Sequence, residues 1–375
     1  MAGPINNTLN FTDDDLVERV PRNGEEPIEL LPSTQMARTR KPTLCQADFE
    51  FPGGDIRIRV SRKDDTTFEG KVCSQSMGLG GPVFKNMVFK PSENENEPPK
   101  VVDELDFTED DAATLLIILN IIHLKFRSVP RRELSYRKLL AMAQICDKYN
   151  CVPLVELFLS GWLDGEDYEP NYDNRENWLY IAYVFGRDET FATLAVNMVK
   201  NATVGEDQLL TRTSKMFVDP MPEGILESIK TTRAAVIQAL LDVWYEYTNS
   251  YMDKYTTICK EGNKKCDAMA WGSIVFALKD QGLWPEKKAT DISMSINELA
   301  SNLLSLQVIT FDRKGHRKCL KTNINDKIET VLKEIPSPVL NVHEKHMDDI
   351  SSLLDGDTDS EPEYEKLSDC DFEYE

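Results

Sequence analysis

The sequence predicts an α+β protein, a small sheet packed on a helical cluster followed by a mainly α-helical domain, with disordered segments at both ends. Three observations carry this expectation. Residues 55–60 (DIRIRV) alternate polar and apolar, the period of a half-buried strand. Residues 112–122 (AATLLIILNII) are apolar nearly all round, as a buried helix is. From Trp178 onward almost every apolar pattern has helical spacing.

The chain has 375 residues and a mass of 42.7 kDa, which at about 150 residues per domain gives two domains plus tails. Residues 1–47, rich in Pro, Asn, Thr and charge, are expected to be a disordered tail. The first domain is assigned to residues 48–165. Its strand at 55–60 is joined by turn residues 61–65 (SRKDD) to a partner at 66–72, forming a hairpin. A short helix follows, with Pro82 in its first turn. A third alternating strand spans 101–107, and Thr108 is expected to cap the apolar helix, with Asp110 and Asp111 at its positive end. Further helices are expected from Ser135 to about residue 150 and from 152 to 163. One core is expected to hold Phe84, Leu119, Ile122, Leu140, Ala143 and Tyr149.

Residues 166–176, acidic and rich in Tyr and Asn, read as a linker, and 177–336 as the helical domain. Its elements are 178–185, 189–201, a long helix opening at Pro222, and 266–283, closed by Gly282 and Pro285. Ser295 and Glu298 then form a capping box, a short strand is placed at 308–311, and a last helix at 325–335. Residues 337–375 are expected to be an acidic disordered tail. Within them, residues 347–375 hold seven Asp, five Glu and one Lys, a net −11.

Charge and composition exclude several function classes. Forty-three basic residues against 64 acidic ones give a net charge of −21, which opposes a nucleic-acid partner. The longest apolar run falls short of the ~18 residues of a membrane span. No signal peptide is read at the N-terminus, so an intracellular location is expected, with cytoplasm and nucleus both open. Eight cysteines in such a chain read as reduced thiols or metal ligands. Four histidines offer little acid–base machinery, and no G-x-S-x-G or H-E-x-x-H motif is present. No catalytic residue is assigned. Residues 77–81 (MGLGG) do not fit a phosphate-binding loop.

Certain motifs in the first domain resemble the BTB/POZ domain over residues of about 50 to 165. They are Gly54-Asp55, residues 82–87 (PVFKNM), the helix of 115–123, and 143–151 with Asp147, Lys148 and Tyr149, in the order hairpin, short helices, third strand, helical run. Residues 178–187 (WLYIAYVFGR) and 266–273 (CDAMAWGS) look like the helical extension of BTB/POZ proteins common in filamentous fungi. The resemblance implies a non-enzymatic protein-interaction module or adaptor, with a protein partner and in some relatives a cullin ubiquitin ligase. Asp55 would then be an interaction residue, against the plainer reading of a polar strand start. Gly81 stands where the family often has Ser, and Cys73-Ser74 where a basic residue is usual, which weakens the case for homodimerisation. The competing class is a hydrolase or transferase using carboxylates of the helical domain.

Cys259-x6-Cys266 with His316-x2-Cys319 gives four donors of the type and number that suit a tetrahedral structural zinc. The alternative is four unrelated residues, with Cys266 in a helix core. A zinc site requires the four donor atoms to converge at about 3 to 4 Å from one another. Cys146 and Cys151 read as core thiols. The basic clusters 38–41 and 313–318 read as solvated surface or import signals. Ser352, Thr358, Ser360 and Ser368 each precede an acidic residue by three positions, a pattern favoured by acidophilic kinases.

Overall fold

A computed structural model describes residues 44–61, 66–91, 98–163, 175–253, 255–309, 316, 319 and 324–355. Of the tail expected over residues 1–47, residues 1–43 lie outside the described residues, while 44–47 are described and lead into the 3-10 helix Gln46–Phe49. The 62–65 turn, residues 166–174 of the expected linker, most of the basic cluster 313–318 and the tail beyond residue 355, with Thr358, Ser360 and Ser368, also lie outside them.

The alternating sequence forms the hairpin. β1 (Ile56–Ser61) pairs antiparallel with β2 (Thr67–Val72), and Ile56, Ile58, Val60 and Val72 are buried while Arg57 and Arg59 face water. Helices α1 (Ser74–Leu79) and α2 (Pro82–Val88) follow, then the short ladder β3 (Phe89–Lys90) with β4 (Lys100–Val101). β5 (Glu104–Phe107) returns parallel to β1, giving the order β2-β1-β5. The third expected strand is therefore two pieces, and the second closes the sheet. On its outer face Arg57 lies 3.6 Å from Glu104, and Arg59 lies 3.7 Å from Asp106. Its inner face buries Leu105 and Phe107.

α3 (Ala112–Ile122), α4 (Tyr136–Tyr149) and α5 (Glu156–Leu163) follow, and their buried apolar residues share one core cluster with those of the sheet. The cap of α3 is Asp111, whose carboxylate accepts the Thr114 amide at 2.9 Å. Thr108, expected in that role, instead donates its hydroxyl to Asp106 at 2.7 Å. Asp110 ties the start of α3 to the end of α4, accepting from Tyr149 Oη at 2.6 Å and Lys148 Nζ at 2.9 Å. Phe84, Leu119, Ile122, Ala143 and Tyr149 are buried in one core, with Leu140 half-buried against it. Cys146 and Cys151 are buried core thiols.

The helical part begins with α6 (Trp178–Val184) and α7 (Asp188–Asn201). A small hairpin absent from the sequence expectation, β6 (Thr203–Gly205) with β7 (Gln208–Leu210), precedes the long α8 (Ile225–Ser250). α9 (Lys264–Asp280), α10 (Ile296–Leu304) and α11 (Ile324–Lys333) follow, with the Ser295 hydroxyl accepting the Glu298 amide at 3.2 Å as the cap of α10. Val308 and Ile309 form no strand, and the rest of that expected strand is outside the described residues. Arg233 of α8 is buried, and among the described residues no carboxylate forms an ion pair with it. Its guanidinium donates to the carbonyls of Ala202, Ile292, Ser293 and Met294, so one side chain gathers the β6 approach and the segment before α10 around the long helix.

The expectation of disorder from residue 337 fails over residues 341–355, which form α12 (Asn341–Asp355) with His343, Met347 and Ile350 buried. The −11 charge hid this helix, because its docked face needs only a few apolar positions at helical spacing while the acidic residues point outward.

Candidate metal centre

Asp253, Asp267 and the turn at Gly262 position the first ligand. After α8 the chain bends at Asp253, which accepts the Thr256 hydroxyl and, at 3.1 Å, the Tyr255 amide. Both oxygens of Asp267, in the first turn of α9, then take successive amides: Ile258 at 3.1 Å and Cys259 at 2.8 Å. The turn after Cys259 closes by the Gly262 amide on the Cys259 carbonyl at 2.8 Å, with Gly262 at φ +63°, a conformation that suits glycine. Asn263 caps α9 by accepting the Lys265 amide, and this fixes Cys266 in the helix's first turn. The six residues between the two cysteines are thus a turn plus a helix cap.

His316 and Cys319 come from the segment between α10 and α11 and share one turn, the Cys319 amide donating to the His316 carbonyl at 3.0 Å. The four side chains meet. Cys259 Sγ lies 3.4 Å from His316 Nδ1 and 3.6 Å from Cys319 Sγ, and Cys319 Sγ lies 3.7 Å from His316 Nδ1. One donor atom from each of Cys259, Cys266, His316 and Cys319 falls within 4.8 Å of all the others, and all four residues are buried.

These distances can be tested against a metal. Metal–sulfur bonds of about 2.3 Å and metal–nitrogen bonds of about 2.0 Å at tetrahedral angles put sulfurs about 3.8 Å apart and sulfur about 3.5 Å from nitrogen. The three separations among Cys259, Cys319 and His316, 3.6, 3.4 and 3.7 Å, agree with those values, and Cys266 completes the set within 4.8 Å. Burial pushes the Cys259 thiol up, but amides of Asn263 and Glu261 and the thiols of Cys319 and Cys266 directed at it outweigh that and hold it below the ordinary thiol value. A sulfur that gives up its proton more readily than an ordinary thiol, set among two more thiols and an imidazole, is arranged to hold a metal ion such as zinc. Four protein donors would fill a tetrahedral shell.

The other sequence-predicted site residue, Asp55, stands apart from this cluster. Its carboxylate accepts the Ser74 amide at 2.7 Å and the Ser74 hydroxyl at 2.6 Å, tying the start of α1 to the hairpin. Burial alone would push its pKa up, but the two Ser74 bonds together outweigh that and bring it below the usual carboxylate value. Asp106 and Asp253 are likewise lowered, chiefly by the hydroxyls of Thr108 and Thr256. Each of these displaced carboxylates favours its charged form, the opposite of what a general acid needs.

Sequence reasoning missed Asp267. Its signal was present, a carboxylate directly after Cys266 in a lysine-rich stretch, but only the fold shows that it reaches back to the other cysteine. The chain matches no protein-family model, no curated protein and no solved structure, so its function is read from these residues.

Proposed function

We propose that the chain is a non-enzymatic protein-interaction module of BTB/POZ type, an adaptor linking a protein partner to a larger assembly such as a cullin ubiquitin ligase. In this reading the Cys259, Cys266, His316 and Cys319 site holds zinc as a structural brace. The supporting observation is the order and pairing of the first elements: a hairpin, two short helices, and a third strand returning parallel to the first over a helical cluster. This is the element order on which the resemblance rests. Apolar side chains left in solvent on that part of the molecule add weight. Leu157 of α5 is 85 % exposed beside Phe158, whose ring lies 6.4 Å from that of the partly exposed Phe126.

The donor set supports zinc, because three thiols and one imidazole are the chemistry of structural zinc. With no position open for water, the ion would stabilise without catalysing. It would fasten the loop after α8 to the segment before α11.

Affinity purification of the tagged full chain, with mass spectrometry of what co-purifies, tests the adaptor reading. A stoichiometric protein partner that is lost from the Leu157→Asp variant is expected. A chain that co-purifies with no stoichiometric protein, while turning over an ester or phosphoryl substrate, would contradict it.

A further inference from the structure

The last helix, α12, lies across α6, α7 and the 3-10 turn Val152–Leu154. Its inner face is specific in its contacts. His343 Nε2 donates to the Glu223 carbonyl at 2.8 Å, and its Nδ1 accepts the Leu340 amide at 3.3 Å. The His346 ring stacks on Tyr183 with centroids 4.1 Å apart, Met347 and Ile350 are buried, and Ser351 Oγ donates to the Gly186 carbonyl at 3.2 Å. Gly186, at φ +64°, forms the floor of the seat. A Cβ there would stand 3.1 Å from Ile350 Cγ2 and Ser351 Oγ and 3.2 Å from the Met347 carbonyl oxygen.

The helix itself is weakly supported from within. Its last turn holds no basic residue to offset the negative end of the helix dipole. Residues 356–375 continue the acidic sequence with a further net −8. Residues 334–340, which join α11 to α12, contain Pro336 and Pro338 and no helix or strand. So α12 is a separately tethered helix that depends on its seat.

We propose that the face formed by α6, α7 and the Val152–Leu154 turn is a helix-docking site that α12 occupies in cis. Its partner in trans is an acidic amphipathic helix repeating α12's contact pattern, with buried residues at i, i+4 and i+7 as in His343, Met347 and Ile350. A short tether holds α12 at an effective concentration of the order of millimolar, so a partner enters only when α12 is weakened or outcompeted. The inference goes beyond the adaptor reading and stands apart from it, since the probe below is the chain's own helix and contains no feature of the BTB/POZ resemblance.

Two measurements on the full chain test it. In native-state hydrogen exchange, α12 amides should exchange at least about 100-fold faster than those of α8, through local opening. A fluorescein-labelled peptide of residues 339–355 should bind saturably to the full chain carrying Met347→Asp and Ile350→Asp, and at least about tenfold more weakly to the unmodified chain. Adding Gly186→Ala to that variant should abolish binding, and a peptide with the same two aspartates should not bind. Exchange of α12 only through global unfolding would overturn the proposal by making the helix part of the permanent core. Loss of the cooperative melt in the double variant would do the same. So would a cooperatively melting double variant that fails to bind the peptide.

Discussion

Asp267 holds Cys259 in place by its backbone, accepting its amide at 2.8 Å while the neighbouring carboxylate oxygen takes the Ile258 amide. The carboxylate sits one residue after Cys266, so a single helix turn sets both cysteines of the centre. Groups that orient ligands in this way contribute to affinity without touching the metal. Asp267→Asn should weaken zinc binding by about 10- to 100-fold. Competition against a chromophoric chelator measures it, and unchanged affinity would remove Asp267 from the site.

The buried guanidinium of Arg233 should be irreplaceable by lysine. A single ammonium cannot span the carbonyls of Ala202, Ile292, Ser293 and Met294, and unsatisfied buried acceptors are costly. Burial lowers the guanidinium to about 10, still far above neutral pH, so it remains charged. Arg233→Lys should destabilise the fold by about 2 kcal/mol or more in a denaturant titration.

Burial, opposed by the Leu119 carbonyl and reinforced by Lys125, holds His123 below the ordinary value of about 6.5. The neutral ring is the one that fits, with Nδ1 donating to Leu119 O at 2.8 Å and Nε2 accepting the Cys73 amide at 3.1 Å. The unfolded chain therefore binds the proton first. Stability is fully present above about pH 6.5 and is lost as pH falls from there towards the folded-state value. Melting temperature should drop between about pH 7 and pH 5.5, with a shallower slope for His123→Gln than for the unmodified chain. Equal slopes would show that His123 does not titrate in this range.

Leu119 is fully buried between α3 and the rest of the core. Leu119→Ala should cost about 2 to 5 kcal/mol. A near-neutral effect would place it at a surface.

Legibility in the sequence followed the physics of each signal. The alternation of residues 55–60 and the apolar stretch at 112–122 were read correctly because period and burial are local properties. The two strands β6 and β7 were missed since three residues each carry no period, and Thr203 and Gly205 are only half-buried. The sequence places the cap of α3 three residues early because Thr108 and Asp111 are both capping types, and what decides between them is local: Thr108 turns its hydroxyl back to Asp106 while Asp111 accepts the Thr114 amide. In the metal centre the four donors could be named from residue type, whereas the six-residue gap obscured a turn joined to a helix cap. α12 was masked by composition, its two buried apolar residues, Met347 and Ile350, being outnumbered by surface acids.

The central claim is that Cys259, Cys266, His316 and Cys319 bind one structural zinc. Elemental analysis of the purified full chain, paired with thermal melts before and after chelation, tests it most directly. One zinc per chain is expected, lost in Cys319→Ser, together with a marked fall in melting temperature when the metal is removed. Protein purified without a chelator that contains no zinc, or whose melt is the same with and without it, would contradict the account.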